Sequence, residues 1–366
     1  MTFVQFLTMF IKIEHKILLN TESDIMNAQD KTVVEKALDA FRKKTRVQTQ
    51  FLCEKILADQ FSDGVIQFSH EGLEWKFKAE IRLRLNRATI ALLKHQMNDT
   101  EKVLVVTDYV NPQLAEVMRD HGIPFIDAAG NAFINAPPLY IFVKGDKPDK
   151  AMKAEPVKRL FKPSGLKLIF ALLNNPGMEK ATYRDIAKAA NVALGTVDMA
   201  VTELGDLGFL IDMGKKGRQL LKTEQLLKRW VEAYPEQLRP KLVQERFRTD
   251  NRNWWKVIKP TEFEVLWSGE IAAAELTGYL KPEKFIIYTN RPLGNLIFKC
   301  KLQKDPNGNV ELLLPFWTFT WDLAEKGLVP PLLVYADLVA TGDVRNIEAA
   351  KMIYDKYLAE LVRKDR

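Results

Sequence analysis

Lysines and arginines are concentrated near the middle of the chain, where a basic face could bind a polyanion. Residues 156–230 contain 13 lysines and arginines against 7 acids, a local net charge of +6, whereas the whole chain carries +7. Neutralised phosphates release condensed counterions, so such a face favours binding to nucleic acid. A basic surface that serves only solubility is the alternative. The cations expected to bind phosphate are Arg184, Lys188, Lys215, Lys216 and Arg218.

A second group of residues in this region has side chains suited to contacting base edges. Residues 193–207 show a helical pattern that leaves Thr196, Met199 and Thr202 on its outer face. The segment has no lysine or arginine. It carries three acids, which repel phosphate even though an acid can accept a hydrogen bond from cytosine: Asp198, Glu203 and Asp206. We therefore expect affinity to come mainly from the hairpin cations and Arg184, and the helix to add shape and a few neutral contacts.

Three helical patterns position these side chains. The first has apolar residues at i, i+3, i+4 and i+7 from Leu166 and stops at Asn174-Asn175-Pro176-Gly177. The second opens at Thr182, with Asp185 three residues on as a short-armed capping box. The third is the segment 193–207. This order predicts a helix-turn-helix whose third helix lies in the major groove.

A basic glycine turn follows the third helical pattern. Two apolar runs, residues 209–211 and 220–221, flank Lys215-Lys216-Gly217-Arg218. This arrangement predicts a β-hairpin whose tip lies along phosphates. Together with the helices it predicts a winged helix-turn-helix over residues 156–235.

Length and composition indicate a globular protein of two or three domains. The chain has 366 residues, of which 47% are hydrophobic and 28% charged, enough to bury substantial cores. Cys53 and Cys300 lie far apart, with no histidine or cysteine at metal-ligand spacing. We expect a cytoplasmic protein with no cofactor, no metal and no enzymatic activity. The apolar start, residues 1–20, lacks a basic leader and is interrupted by charges, so residues 1–29 are interpreted as an N-terminal arm, native or added, rather than a signal peptide.

Residues 30–150 read as an α/β domain: helix, three strands, helix, strand, helix and two strands. Leu73 to Leu85 alternates apolar and charged residues, typical of a strand with one wet face. The order resembles the core of the PD-(D/E)xK nuclease superfamily, in which strand acids hold a metal and a lysine assists. Glu80-Ile81-Arg82 occupies the E-x-K place, but arginine cannot transfer protons there. We interpret the domain as a nuclease-like scaffold without catalysis; a metal-dependent nuclease using Glu80 with Asp63 is the alternative.

Asp127 and Asn131 follow a short apolar run, where they suit either a ligand site or a turn. Short polar side chains around Ala129-Gly130 readily bond their own backbone. The turn interpretation is favoured. Residues 144–163, rich in lysine and proline, predict a linker.

Beyond the hairpin, the pattern predicts a helix from Thr223 that ends at Pro235, then a polar connection to Lys256. Residues 255–366 read as an α+β domain. Strands are predicted at 263–267, 285–288, 296–302 and 310–314, with a hairpin at residues 305–308. A terminal helix is predicted to reach Lys364.

Ser268-Gly269 before a helix invites a phosphate-loop interpretation, but no G-x-x-x-x-G-K-[ST] is present. Four charged residues could cluster in this region, and a structural or partner-facing role is favoured for them: Glu270, Asp337, Asp343 and Arg345.

The third region and the predicted winged helix resemble the AbiEi antitoxins of type IV toxin-antitoxin systems, in the subgroup described as transcriptional regulators. The similarity covers roughly residues 30–360. The segments that carry it are Trp267 to Ala273, Thr277 to Glu283, Gly308 to Leu313, Phe316-Trp317, Tyr335 to Leu338 and Gly342 to Ala350, with Asn111-Pro112 and Gly130 to Ala132 upstream.

This resemblance implies a DNA-binding protein that represses its own operon and opposes a toxin resembling a nucleotidyltransferase, without needing stable contact with it. In that family the winged helix lies near the N-terminus, whereas here it follows the first 155 residues. One winged helix reads only a short half-site, so we expect a homodimer on an inverted repeat of double-stranded DNA. A protein-interaction module that no longer meets DNA is a further alternative.

Overall fold

The computed structural model describes residues 28–52, 64–83, 85, 89–90, 93, 102–147 and 158–362. The chain is a mixed α/β protein that divides into two compact units, Met1–Glu155 and Pro156–Arg366. Asp63, nearly all of the N-terminal arm and most of the helix predicted after the strand 73–85 lie outside the described residues. Within the described ranges, no helix combines the length and apolar composition that crossing a membrane requires.

The described part of the first unit is built on a seven-stranded sheet whose spatial order follows the chain, β1 to β7. The first three strands pair antiparallel, β3, β4 and β5 pair parallel, and the last two join antiparallel. Its elements are α1 (Ala28–Thr45), β1 (Gln48–Leu52), β2 (Gly64–His70), β3 (Leu73–Ile81), β4 (Val103–Thr107), α2 (Pro112–Asp120), β5 (Phe125–Asp127), β6 (Ala132–Ala136) and β7 (Leu139–Val143).

Both faces of this sheet are covered, because successive residues of β4 join different cores. Leu104 and Val106 pack with α1, whereas Val105 packs with α2. We predicted that one face of β3 is exposed to solvent. This prediction is wrong at the end of the strand, where Glu80 and Arg82 are buried. The strand also stops at Ile81, short of the predicted Leu85. A further difference is that three strands, β5 to β7, follow α2, where the predicted order had two.

The second unit begins with three helices and a two-stranded hairpin. Leu166, Ile169, Phe170 and Leu173 of the first helix are buried, as their spacing predicted, and Leu168 and Leu172 on its other side are buried as well. The elements are α3 (Pro163–Asn174), α4 (Tyr183–Ala190), α5 (Leu194–Asp206), β8 (Leu210–Asp212) and β9 (Arg218–Leu220).

The helix α6 (Thr223–Gln237) continues past the predicted stop, since Pro235 lies inside it. Proline there removes one hydrogen bond, and the helix ends within one further turn. Trp230 of α6 stacks on Phe170 of α3, with ring centres 5.3 Å apart, and its Nε1 donates to Leu166 O. The helix is thereby fixed against the three-helix group.

The second sheet of this unit has the order β11-β12-β14-β10-β13. The predicted polar connection contains the strand β10, and the predicted strand 296–302 is largely the helix α8; a short apolar run does not distinguish the two by periodicity. The predicted hairpin at residues 305–308 is also wrong, because β13 and β14 each pair with β10. The elements are β10 (Val243–Arg248), β11 (Leu266–Ser268), α7 (Gly269–Thr277), β12 (Phe285–Tyr288), α8 (Gly294–Cys300), β13 (Gln303–Lys304) and β14 (Val310–Leu313).

Helices close the second unit: α9 (Pro331–Val339), α10 (Val344–Ile353), a π-helical turn (Tyr354–Leu358) and α11 (Ala359–Val362). The segment before them contacts the three-helix group. Thr318 donates its hydroxyl to Lys188 O and its N–H to Ala189 O, at 2.6 and 3.0 Å. The C-terminal sheet and helices α3 to α5 therefore belong to one compact unit.

Candidate nucleic-acid interface and neighbouring charged sites

The helices α4 and α5 are separated by a turn of three residues whose geometry is set locally. Thr182 caps α4, with its hydroxyl accepting from Asp185 N at 3.2 Å. Asn191 ends that helix in the left-handed conformation, at φ 51°, which asparagine tolerates better than most residues. The chain then turns at Val192 and Ala193 and enters α5 directly. The two helices are therefore consecutive and joined by a short turn.

The side chains predicted to contact DNA on these helices are accessible to different degrees. Arg184, Lys188 and Thr202 are exposed, whereas Thr196 and Met199 are half-buried. The Thr202 hydroxyl donates to Asp198 O at 3.0 Å, so its oxygen keeps only acceptor capacity toward a base.

One of the three acids on α5 has a structural role. A Glu203 oxygen accepts from Leu160 N at 2.9 Å, which caps the short 3-10 helix Arg159–Phe161. Asp198 and Asp206 remain exposed. Part of the negative charge that argued against phosphate contact is thus directed into the protein.

The tip of the β8–β9 hairpin presents two lysines. Gly214–Lys216 forms a 3-10 turn closed by Met213 N donating to Gly217 O at 3.0 Å. Gly214 has φ 62°, a conformation that favours glycine. Lys215 and Lys216 are both exposed and make no ion pair with any residue the structure describes. They are free to bind an anion.

Arg218 differs from these lysines because it already has intramolecular partners. Its Nη2 donates to Ala181 O at 2.5 Å, and the guanidinium carbon lies 4.7 Å from the centre of the Tyr183 ring. Both partners lie at the start of α4. Arg218 therefore attaches the hairpin to the helices, a contact that the sequence pattern did not indicate.

In the first unit, Glu80 is paired rather than open to a metal. It forms an ion pair with Arg82, and both side chains are buried. Glu74 is exposed on the same strand. Among the described residues, no three His, Cys, Asp or Glu side chains come together closely enough to hold a metal ion. The geometry at Glu80 therefore lends no support to a nuclease site.

Asp127 organises the ends of the parallel strands β4 and β5. It is fully buried and accepts hydrogen bonds from Val110 N, Ala129 N, Asn131 N and Asn131 Nδ2 at 2.7–2.9 Å. Asn131 in turn exchanges hydrogen bonds with the Asp146 backbone. Both residues therefore bond the loop backbone, as the turn interpretation predicted. Burial raises the pKa of Asp127 to about 6, against the lowering effect of these donors.

We expect Asp127 to make the stability of this loop depend on pH. Its pKa is raised on folding from 3.8, so its stabilising contribution is complete below pH 4 and is lost as pH rises through about 6. Hydrogen–deuterium exchange of peptides covering 125–147, corrected for intrinsic exchange rates, should accelerate over this pH range. In Asp127→Asn that acceleration should disappear. Equal pH dependence in both proteins would contradict the assignment.

A buried polar network joins α6, the second sheet and α9 at Asp337. One oxygen of Asp337 accepts from Tyr234 Oη at 2.8 Å and Arg239 Nε at 3.1 Å. The other accepts from Ser268 Oγ at 2.7 Å and Tyr288 Oη at 3.3 Å. Arg239 also donates to Glu311, which pairs with Arg246. The carboxylate of Asp337 therefore links its own helix α9 to α6 and to the strands β11 and β12.

Electrostatics within this network favour fixed protonation states. The pKa values of Tyr234 and Tyr288 are raised well above the ordinary value of a tyrosine, mainly by burial and secondly by the Asp337 carboxylate. Both phenols therefore stay neutral. Burial alone would lower the pKa of Arg239, but Asp337, Tyr234 and Glu311 raise it overall. Arg239 therefore stays charged.

The four charged residues grouped in the sequence do not form one cluster. Glu270 accepts from Glu283 N, Lys284 N and Asn346 Nδ2, and so ties the loop before β12 to helices α7 and α10. Asp343 caps α10 and lies 3.5 Å from Arg345. Asp337 belongs to the separate network. Tyr234, Tyr288 and Arg239 were missed because nothing in their local spacing indicates that they meet.

Comparison with known families gives a match to the C-terminal part of the chain. Residues 219–359 match the sequence model of a family described as "Transcriptional regulator, AbiEi antitoxin, Type IV TA system". The match begins in β9 and includes the whole Asp337 network. Comparison with curated proteins and with solved structures found no significant match. Over residues 219–359 the chain therefore matches the AbiEi antitoxin family of transcriptional regulators, as its sequence resemblance indicated.

Proposed function

We propose that this protein binds duplex DNA through a winged helix-turn-helix formed by α3 to α5 and the hairpin β8–β9. The observation that carries the proposal is that α5 is followed directly by a hairpin whose tip exposes Lys215 and Lys216. In such a motif the third helix enters the major groove and the hairpin follows the backbone. The local charge of +6 over residues 156–230 provides the attraction.

The residues divide into three roles. Lys215, Lys216, Arg184 and Lys188 bind phosphates, which position the protein without reading sequence. Thr196, Met199 and Thr202 face the bases and supply neutral contacts. Arg218 holds the hairpin against α4 through Ala181 and Tyr183.

The biological role follows from the family matched by residues 219–359. We infer a transcriptional regulator that represses its own operon as a homodimer on an inverted repeat. In a type IV system it also opposes a toxin resembling a nucleotidyltransferase. The family description names a regulator and antitoxin, which supports the non-enzymatic role.

The direct test is a mobility-shift and footprinting experiment with the DNA upstream of the protein's own gene. We expect a shift at nanomolar protein and a protected inverted repeat, with weaker binding to unrelated duplex. A specific site is expected to be bound roughly a thousandfold or more tightly than unrelated DNA. If no duplex shifts even at low salt, the motif is instead a protein-interaction module.

Replacing Arg218 separates an anchoring role from phosphate binding. In Arg218→Ala the hairpin loses its attachment to α4, so amide exchange over residues 210–220 should increase and DNA affinity should fall roughly three- to tenfold. The slope of log K against log salt should stay within the error of the wild-type value. A slope reduced by about 0.9 would instead show that Arg218 itself binds a phosphate.

A further inference from the structure

The second unit contains a cleft, and neighbouring strands of the second sheet form its floor. Ile286 of β12 lies opposite Glu311 of β14, which lies opposite Arg246 of β10. Directly paired residues share a face of a sheet, so these three side chains form one row. Ser268 of β11 extends the row opposite Ile286 and bonds Asp337 of α9. The row therefore lies on the face that α9 covers.

The walls come from the chain around this row. The cleft has a volume of about 480 Å³ and is lined on its sides by Arg239 after α6, Gly269 and Glu270 at the start of α7, and Lys284 before β12. Asn309 and Thr341 also contribute. Pockets of 300–1,000 Å³ accommodate small organic ligands.

The lining carboxylates are all engaged by donors of the protein itself. Asp337 accepts four hydrogen bonds, and Glu270 accepts from two backbone N–H groups and Asn346. Glu311 binds both Arg239 and Arg246. These donors partly neutralise the charge of each carboxylate, which weakens its repulsion of an anionic ligand.

The lining cations, in contrast, retain free donors. Arg239 uses Nε and Nη2, which leaves Nη1 without a partner among the described residues. Arg246 pairs with Glu311 through Nη2, its one ion pair with a described residue, and 40% of its side chain is exposed. Lys284 is exposed, and its Nζ makes no ion pair with a described residue. The cleft therefore offers unsatisfied positive donors and few acceptors.

We propose that this cleft binds a small organic anion through a phosphate or carboxylate group held by Arg246 and Lys284. Arginine suits such groups because its planar fork matches their oxygens, and lysine adds a point charge. Arg239, held from below by Asp337 and Glu311, orients the anion. The remaining lining, partly apolar, takes the body of the ligand. This site is separate from the hairpin lysines and the outer face of α5.

The test uses three probes of similar size: glucose 6-phosphate, gluconate and neutral glucose. Each is titrated into the full-length protein against sodium chloride of matched ionic strength, and amide chemical shifts of Gly269, Lys284 and Phe285 are followed. At least one of the two anions should give saturable shifts, and comparing them distinguishes phosphate from carboxylate. Glucose and chloride should not saturate.

The variants Lys284→Gln and Arg246→Gln with Lys284→Gln locate the binding. Both variants should bind the anionic probe more weakly. The affinity of the double variant should fall at least about tenfold, as expected from losing hydrogen bonds to charged groups. Lys281→Gln, an exposed change in the same loop, is the matched control and should bind as the wild type does. Lys284→Gln alone removes an exposed side chain, so it tests the site without disturbing the buried network.

Two results would overturn the proposal. One is that the anions change the amide chemical shifts no more than sodium chloride does, or change them equally in the wild type and the double variant. The other is a loss of duplex DNA affinity in the double variant as large as that caused by removing the hairpin lysines, which would make the cleft part of the DNA surface. DNA affinity without any probe is expected to stay within about twofold of the wild type, since these cations bind a small ligand.

Discussion

Replacing Lys215 and Lys216 together with alanine is expected to weaken binding to every duplex sequence, by roughly 10- to 100-fold near 0.1 M salt. Each lysine that neutralises a phosphate contributes about 0.9 to the slope of log K against log salt, so the slope should fall by nearly 2. Both side chains are exposed at the hairpin tip, and removing them should leave the fold unchanged. Mobility shifts at several salt concentrations measure both quantities.

The matched control replaces Lys281 and Lys326, two exposed lysines of the same unit that lie away from the hairpin in sequence. This variant has the same net charge as the hairpin variant. It should retain the wild-type slope and nearly wild-type affinity. If both double variants bind DNA equally weakly, the attraction comes from the overall charge of the protein, and the hairpin lysines do not contact DNA specifically.

Replacing Asp337 with alanine is expected to destabilise the second unit by about 3–5 kcal/mol, the cost of removing one partner from a buried ion pair. Arg239 would keep Glu311, but Tyr234, Tyr288 and Ser268 would lose a buried acceptor. Urea unfolding followed by tryptophan fluorescence measures this unit selectively, because six of the seven tryptophans lie between residues 230 and 321.

Asp343→Ala provides the comparison for this result. Asp343 caps α10 from an exposed position, so its loss should cost only about 1 kcal/mol. Asp337→Asn should fall between the wild type and Asp337→Ala, since the amide keeps one acceptor oxygen. A loss at Asp337 no larger than that at Asp343 would show that the network adds little to stability.

Local pattern predicted the elements with strong periodicity or clear boundaries. The heptad-like spacing from Leu166, the cap at Thr182 and the glycines around Lys215-Lys216 each specify a backbone conformation through contacts within a few residues. The structure contains a helix, a capped helix and a hairpin at these places. Short apolar runs were predicted less well: residues 296–302 satisfy both strand and helix patterns, and most of them form the helix α8.

The sequence by itself determined the mixed α/β composition, the order of the three helices and hairpin, the excess of positive charge around them and the family resemblance of the C-terminal part. Only the tertiary structure decided which side chains meet. Asp337 is separated by 103 residues from Tyr234 and by 69 from Ser268, and Arg218 by 37 from Ala181. Contacts over such distances depend on how the sheet and helices pack, and no local spacing encodes them. The same physical reason explains why Arg218 and Lys216, two residues apart, have different roles: one side chain reaches a neighbouring helix and the other reaches solvent.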